Sequence, residues 1–275
     1  MLASLVIVFR EAIEAALVIG LVLAAARGLP GRGRLVAAGA LAGALGAGVI
    51  ALFAGGISEL FDGSGQELLN AAVLLVAAAM LAWHVAWMAR HGRVMAAELR
   101  GAGRDVAEGR RPPSALAVVV AAAVLREGAE VVLFLYGIAA GGAGAAGMLL
   151  GGLLGLLAGA GLGALAYLGL VRLPAGTLFR VTGWLVTLLA AGLAAQAVGL
   201  LQQAGMLETL SAPAWDTSAW LADGSLAGRA LRALVGYTSR PSGLQVLAWV
   251  GTLASILVME WLLAPQPPHP APRAP

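Results

Sequence analysis

The chain contains no cysteine. That single absence removes disulfides, thiolate metal sites and redox thiols together, and it leaves the compartment unreadable from thiol usage. Lysine is missing as well, so all 17 basic residues are arginine. A phosphate-binding loop ending in Gly-Lys-Ser/Thr therefore does not exist here, and nucleotide hydrolysis by that route is excluded. Charged residues of both signs make up only 11% of the 275 positions, and there are three histidines. No His-Glu-x-x-His is present, His84 is the one histidine inside an apolar run, and no Asp lies in one. An intramembrane hydrolase would need an Asp pair, a Ser and a His, or such a zinc motif. The chain is read as a non-enzyme.

What fills the chain instead is apolar. Hydrophobic residues account for 60% and the mean hydropathy is +0.91, which is too high for a soluble domain and marks an integral membrane protein. Alternating polar and apolar strands are absent, which argues against a barrel, and 39 glycines suit helices that pack closely in lipid. The fold class is all-α. A pI near 10.2 invites a nucleic-acid partner, but the arginines cluster in short loops beside apolar runs, where membrane topology accounts for them. No nucleic acid is expected.

Seven spans follow, at about 2–26, 35–57, 68–89, 114–138, 148–171, 181–201 and 244–263. A long polar loop from Arg90 to Arg111 separates the third from the fourth, and a 202–243 loop carries a short amphipathic helix suited to the membrane interface. Residues 1–264 form the transmembrane domain, and the proline-rich 265–275 segment is an extended tail. Twelve arginines sit in loops one, three and five and the tail, against three in the other loops, which puts the N-terminus outside and the C-terminus in the cytoplasm. Residues of about 1–89 and 114–201 then read as two inverted three-helix repeats, with the seventh helix appended.

Charge interrupts this pattern at two matched places. The first helix holds Arg10-Glu11-Ala12-Ile13-Glu14, and the fourth holds Arg126-Glu127-Gly128-Ala129-Glu130. At about 100° per residue, the arginine and both glutamates of each motif fall within one narrow helix face. A charge at the bilayer centre costs about 2.5–3.5 kcal/mol. Six facing lipid would cost roughly 15–20 kcal/mol, more than the typical net stability of about 5–15 kcal/mol. The charges must turn inward, and inverted repeats put a substrate site near the midplane between them. Four carboxylates there suit a hard cation in transit. Each arginine can hold the second glutamate of its own motif at i,i+4. A structural salt bridge would explain one such cluster, but not two at matched depth.

Arg-Glu-x-x-Glu on the first and fourth of seven helices, with Trp215-Asp216-Thr217-Ser218, Gly228-Arg229 and Gly236-Tyr237 in the last loop, resembles the high-affinity iron permease family: fungal oxidase-coupled permeases and their bacterial EfeU-type relatives. The resemblance implies high-affinity iron uptake across the cytoplasmic membrane. It makes Glu11, Glu14, Glu127 and Glu130 the iron-handling carboxylates, with Arg10 and Arg126 as motif partners. Iron, ferrous or ferric, is then the substrate and no cofactor is permanently bound. Partners are separate periplasmic or extracellular iron-binding or oxidising proteins, and a homo-oligomer stays open. The alternative is a proton- or cation-coupled transporter of another metal or small solute. Secondary candidates are His84 and Met88, which form a stripe with Met80 on the third helix, and Glu59 and Asp62 in the acidic second loop. A polar residue packed among core methionines is the plainer account of His84, and a solvated loop that of the acids.

Overall fold

The computed structural model describes residues 1–59, 66–142, 144–169 and 175–263. Asp62, the turn at Pro174 and the 265–275 tail lie outside the described residues. Eight helices appear among them: α1 (Leu2–Ala25), α2 (Arg32–Glu59), α3 (Gln66–Ala107), α4 (Ser114–Ala140), α5 (Ala145–Tyr167), α6 (Ala175–Gln203), α7 (Leu226–Val235) and α8 (Gly243–Leu263). Five of them, α2, α3, α5, α6 and α8, are long and apolar enough to cross a membrane. With 24 and 27 residues, α1 and α4 are as long; they are the two helices that carry the charged motifs.

Small residues set the helix pairing. On α5, Gly151, Gly155, Gly159 and Gly163 are all buried and lie against Met1, Leu5, Phe9 with Ala12, and Ala16 of α1. A Cβ at Gly155 or Gly159 would meet the α1 backbone. The α2–α4 contact is built in the same way, with Gly39 against Ala117, Gly43 against Ala121 and Val124, and Ala47 against Gly128. Without a hydrophobic driving force between helices in lipid, such close backbone approach supplies the packing.

These registers also fix direction. Glu14 of α1 sits by His84 of α3 and Ala25 by Gly103, so α1 and α3 run the same way. Gly141 lies near Leu74, Gly137 against Ala77, and Glu130 by His84, so α4 runs against α3. The two motif helices are therefore antiparallel.

Two apolar clusters bracket the middle of the bundle. One gathers Ala3 and Ile7, Leu74 to Val85, Phe134 and Ile138, and the inner face of α6. The other gathers Val22, Ala26, Val36, Val106, Leu116 and Val120. Along α1 and along α4, the motif residues fall between them.

Two expectations need correction. The expected polar loop at 90–111 is helix as far as Ala107. No proline interrupts 66–107, the Met-Ala-Ala-Glu-Leu-Arg stretch at 95–100 is made of strong helix formers, and Leu99 and Val106 join the second apolar cluster. The short helix of the last loop exists as α7, capped by the Ser225 hydroxyl accepting from the Gly228 amide at 2.9 Å. It does not lie apart in an interface, however. Gly236, at φ 71°, ends it against the backbone of Gly192, 11 residues before the α6 terminus at Gln203 and so roughly 16 Å along that helix. Two facing glycines allow that approach. Trp249 of α8 ties it down by donating its ring N–H to the Val235 carbonyl at 2.8 Å.

Candidate functional site

Each motif holds its charges together before it meets the other. In α1, Arg10 lies 3.2 Å from Glu11 and 2.9 Å from Glu14, and all three side chains are buried. In α4, the Arg126 side chain donates through Nε to Glu130 at 3.1 Å, and its guanidinium lies 4.7 Å from the centre of the Trp87 ring. The halves are unequal: Arg10 is 4% exposed and Arg126 33%.

The antiparallel crossing then brings the two motifs into one cluster. Ligand atoms of Glu11, Glu14 and His84 all lie within 4.8 Å of one another, and so do those of Glu11, Glu127 and Glu130. Glu11 belongs to both groups. An ion held at about 2.1–2.5 Å from each ligand spans ligand atoms up to about 4–5 Å apart, so either group has the size of a cation seat. Glu11 Oε2, Glu14 Oε2 and Glu127 Oε2 are buried without a hydrogen-bond partner among the described residues. Buried carboxylate oxygens left without a partner are destabilising, and a cation between them relieves this.

His84 is where the halves join. Its Nδ1 contacts the Glu130 carboxylate, and its Nε2 is 4.0 Å from Glu14 Oε1. The ring stands edge-on to Phe134 at 6.4 Å. The sequence stripe with Met80 and Met88 located His84 on α3 but said nothing of these partners. Met80 packs on the apolar core, and Met88 is half-buried. Glu59 ends α2 rather than standing in a loop, and its side chain is not described.

The third motif position explains its own small residue. Ala12 faces Gly159 of α5, and Gly128 faces Ala47 of α2. Each contact pairs one Gly with one Ala, exchanged between motif and partner helix. Between α3, α4, α6, α7 and α8, a cavity of about 720 Å³ opens, reaching Asn70, Leu74, Gln196 and Gln203. Gln202, by contrast, is used structurally, accepting from the Ser242 hydroxyl at 2.7 Å.

A family model described as the iron permease FTR1 family matches residues 1–264. The chain belongs to that family. Its relatives include the ferrous iron permease EfeU of Escherichia coli O6:H1, 33% identical over 262 residues that cover 94% of each chain. EfeU of Shigella sonnei is 33% identical over 263 residues with the same coverage. EfeU of Shigella flexneri is 33% identical over 199 residues, 72% of this chain and 84% of the relative. No solved structure matches the chain. As a membrane protein of the iron permease FTR1 family, it has iron transport as its field of function.

The 202–243 segment that carries Trp215-Asp216-Thr217-Ser218 is a tied unit. Asp216 accepts from the Ser218 amide and hydroxyl at 2.9 and 2.6 Å and pairs with Arg240 at 2.7 Å. The Arg240 guanidinium, helped by Ser218, holds the Asp216 carboxyl below the usual carboxylate range. Tyr237 donates to the Leu221 carbonyl at 2.8 Å and shares a 2.6 Å hydrogen bond with Thr217.

Proposed function

We propose that the chain takes up ferrous iron across the cytoplasmic membrane through one site shared by its two Arg-Glu-x-x-Glu motifs. The observation that carries this is the convergence of Glu11, Glu14, Glu127 and Glu130 from antiparallel helices into two cation-sized seats with Glu11 in common. Formal charge favours a divalent ion. Four carboxylates and two arginines leave two negative charges, which Fe²⁺ neutralises and Fe³⁺ overshoots. The printed name of the EfeU relatives, ferrous iron permease, agrees with that choice.

Seven crossings in two inverted repeats plus α8 supply the mechanism. The glycine-lined α5–α1 and α2–α4 contacts are counterparts under exchange of the repeats, which supports that architecture. The site lies between two apolar layers. An ion cannot pass both at once in this arrangement, and rocking one repeat against the other opens them in turn. Outside is the side of the N-terminus and the 202–243 segment, where the 720 Å³ cavity receives the ion and separate iron-binding proteins deliver it.

The test is iron-55 uptake into proteoliposomes, with and without reductant and a pH gradient. Glu→Gln at Glu11, Glu14, Glu127 or Glu130 keeps side-chain size but removes the charge that replaces the ion's water shell, so each variant inserts normally and transports no iron. Normal uptake by Glu127→Gln at wild-type density would end the proposal. Uptake that follows the pH gradient but is indifferent to iron would favour a proton-coupled carrier of another solute.

A further inference from the structure

His84 lies outside both motifs, on α3, yet it is buried inside the cluster with 5% exposure. Its Nδ1 is engaged by Glu130. Its Nε2 is buried with no hydrogen-bond partner among the described residues, and it faces Glu14 Oε1 at 4.0 Å. A histidine kept for packing normally satisfies both ring nitrogens, because a buried polar atom left unpaired costs about 1–3 kcal/mol. An imidazole with one nitrogen oriented by a carboxylate, and the other turned toward Glu14 without a hydrogen bond and grouped with Glu11, has the arrangement of a metal-ligating histidine.

We propose that His84 Nε2 is a metal ligand in the Glu11–Glu14–His84 seat, and that it sets the preference for Fe²⁺ over Mn²⁺, Mg²⁺ and Ca²⁺. The inference rests on the iron-transport reading above. The two seats differ in chemistry: one offers two carboxylates and an imidazole, the other three carboxylates. Carboxylate oxygen alone suits Mg²⁺, Ca²⁺ and Mn²⁺, whereas imidazole suits iron, and affinities at nitrogen-containing sites rise from Mn²⁺ to Fe²⁺. The seat with His84 is therefore the one that discriminates. Glu130 orients the imidazole while an ion occupies that seat, and the carboxylate seat passes the ion on.

Purified full-length protein, loaded with one equivalent of Fe²⁺ under reducing conditions, is examined by X-ray absorption. The wild type shows imidazole scattering around the iron. A variant with His91→Asn and His269→Asn keeps it, and His84→Asn loses it. In competition binding of iron-55, His84→Asn lowers the preference for Fe²⁺ over Mn²⁺ by about tenfold, as expected when an oxygen donor replaces nitrogen. An oxygen-only iron shell in the wild type, or an unchanged Fe²⁺-to-Mn²⁺ ratio in His84→Asn, overturns the proposal. If His84→Asn does not survive purification, the spectrum of the His91→Asn and His269→Asn variant decides, because His84 is then the one imidazole left in the chain. An oxygen-only shell lost in Glu14→Gln refutes His84 but leaves the carboxylate site standing, whereas iron bound equally by Glu14→Gln and Glu127→Gln refutes the site itself.

Discussion

Arg10 and Arg126 occupy equivalent motif positions but carry unequal burdens. Arg10 spans both glutamates of its own motif from a fully buried position, so Arg10→Gln strands two interior carboxylates. Breaking a buried pair by removing one partner costs about 3–5 kcal/mol. Arg126 is a third exposed and rests its guanidinium on Trp87, and the Glu130 carboxylate it would leave behind is 16% exposed, against 1% for Glu11 and 4% for Glu14. Thermal unfolding in detergent should show a much larger loss for Arg10→Gln than for Arg126→Gln, with part of the Arg10→Gln loss recovered by adding Glu14→Gln. Equal losses would mean that the two half-sites share their charges differently. The six motif residues were legible because charge in an apolar run has few explanations. His84 was not assigned a partner, since a lone histidine on an apolar stripe carries no record of which carboxylates the tertiary fold brings to it.

At the scale of elements, the site is held at its spacing by glycine contacts on either side. Gly159 touches the α1 backbone beside Ala12, one residue from Glu11, and Gly43 touches the α4 backbone, while Gly161 faces open space. Overpacking a close contact costs about 1–3 kcal/mol, and more where the obstacle is backbone. Gly159→Leu and Gly43→Leu should each lower the melting temperature and displace the motif helix. Gly161→Leu, on the lipid side of the same α5, should change neither. Tolerance of Gly159→Leu would contradict the α1–α5 register. Close helix packing could be read from the glycine content, but the continuation of α3 to Ala107 could not. Arg90, Arg93, Arg100 and Arg104 give that stretch the composition of a cytoplasmic loop, and only the packing of Leu99 and Val106 on the ends of other helices reveals why it stays helical. The depth of α7 was equally hidden, because Gly192 and Gly236 are far apart in sequence and each is unremarkable alone.

For the whole molecule, a shared site between inverted repeats requires that α1 and α4 cross the membrane in opposite senses and that one face of the protein be outside. The chain has no cysteine, so single cysteines report without background. Ser218→Cys should react with an impermeant thiol reagent in intact cells, and Arg100→Cys only after permeabilisation; the reverse pattern would invert the orientation. The antiparallel sense of the motif helices could be inferred from arginine distribution, whereas the sharing of Glu11 between two seats depends on side-chain registers that no charge count contains. The most direct measurement is the position of iron itself, from anomalous diffraction at the iron edge on crystals of the full-length protein grown with Fe²⁺ under reducing conditions. An iron peak is expected between α1 and α4, with carboxylate oxygens from both motifs within about 2.0–2.3 Å. Iron bound elsewhere, with Glu11 and Glu14 still held by Arg10 and Glu130 by Arg126, would contradict it.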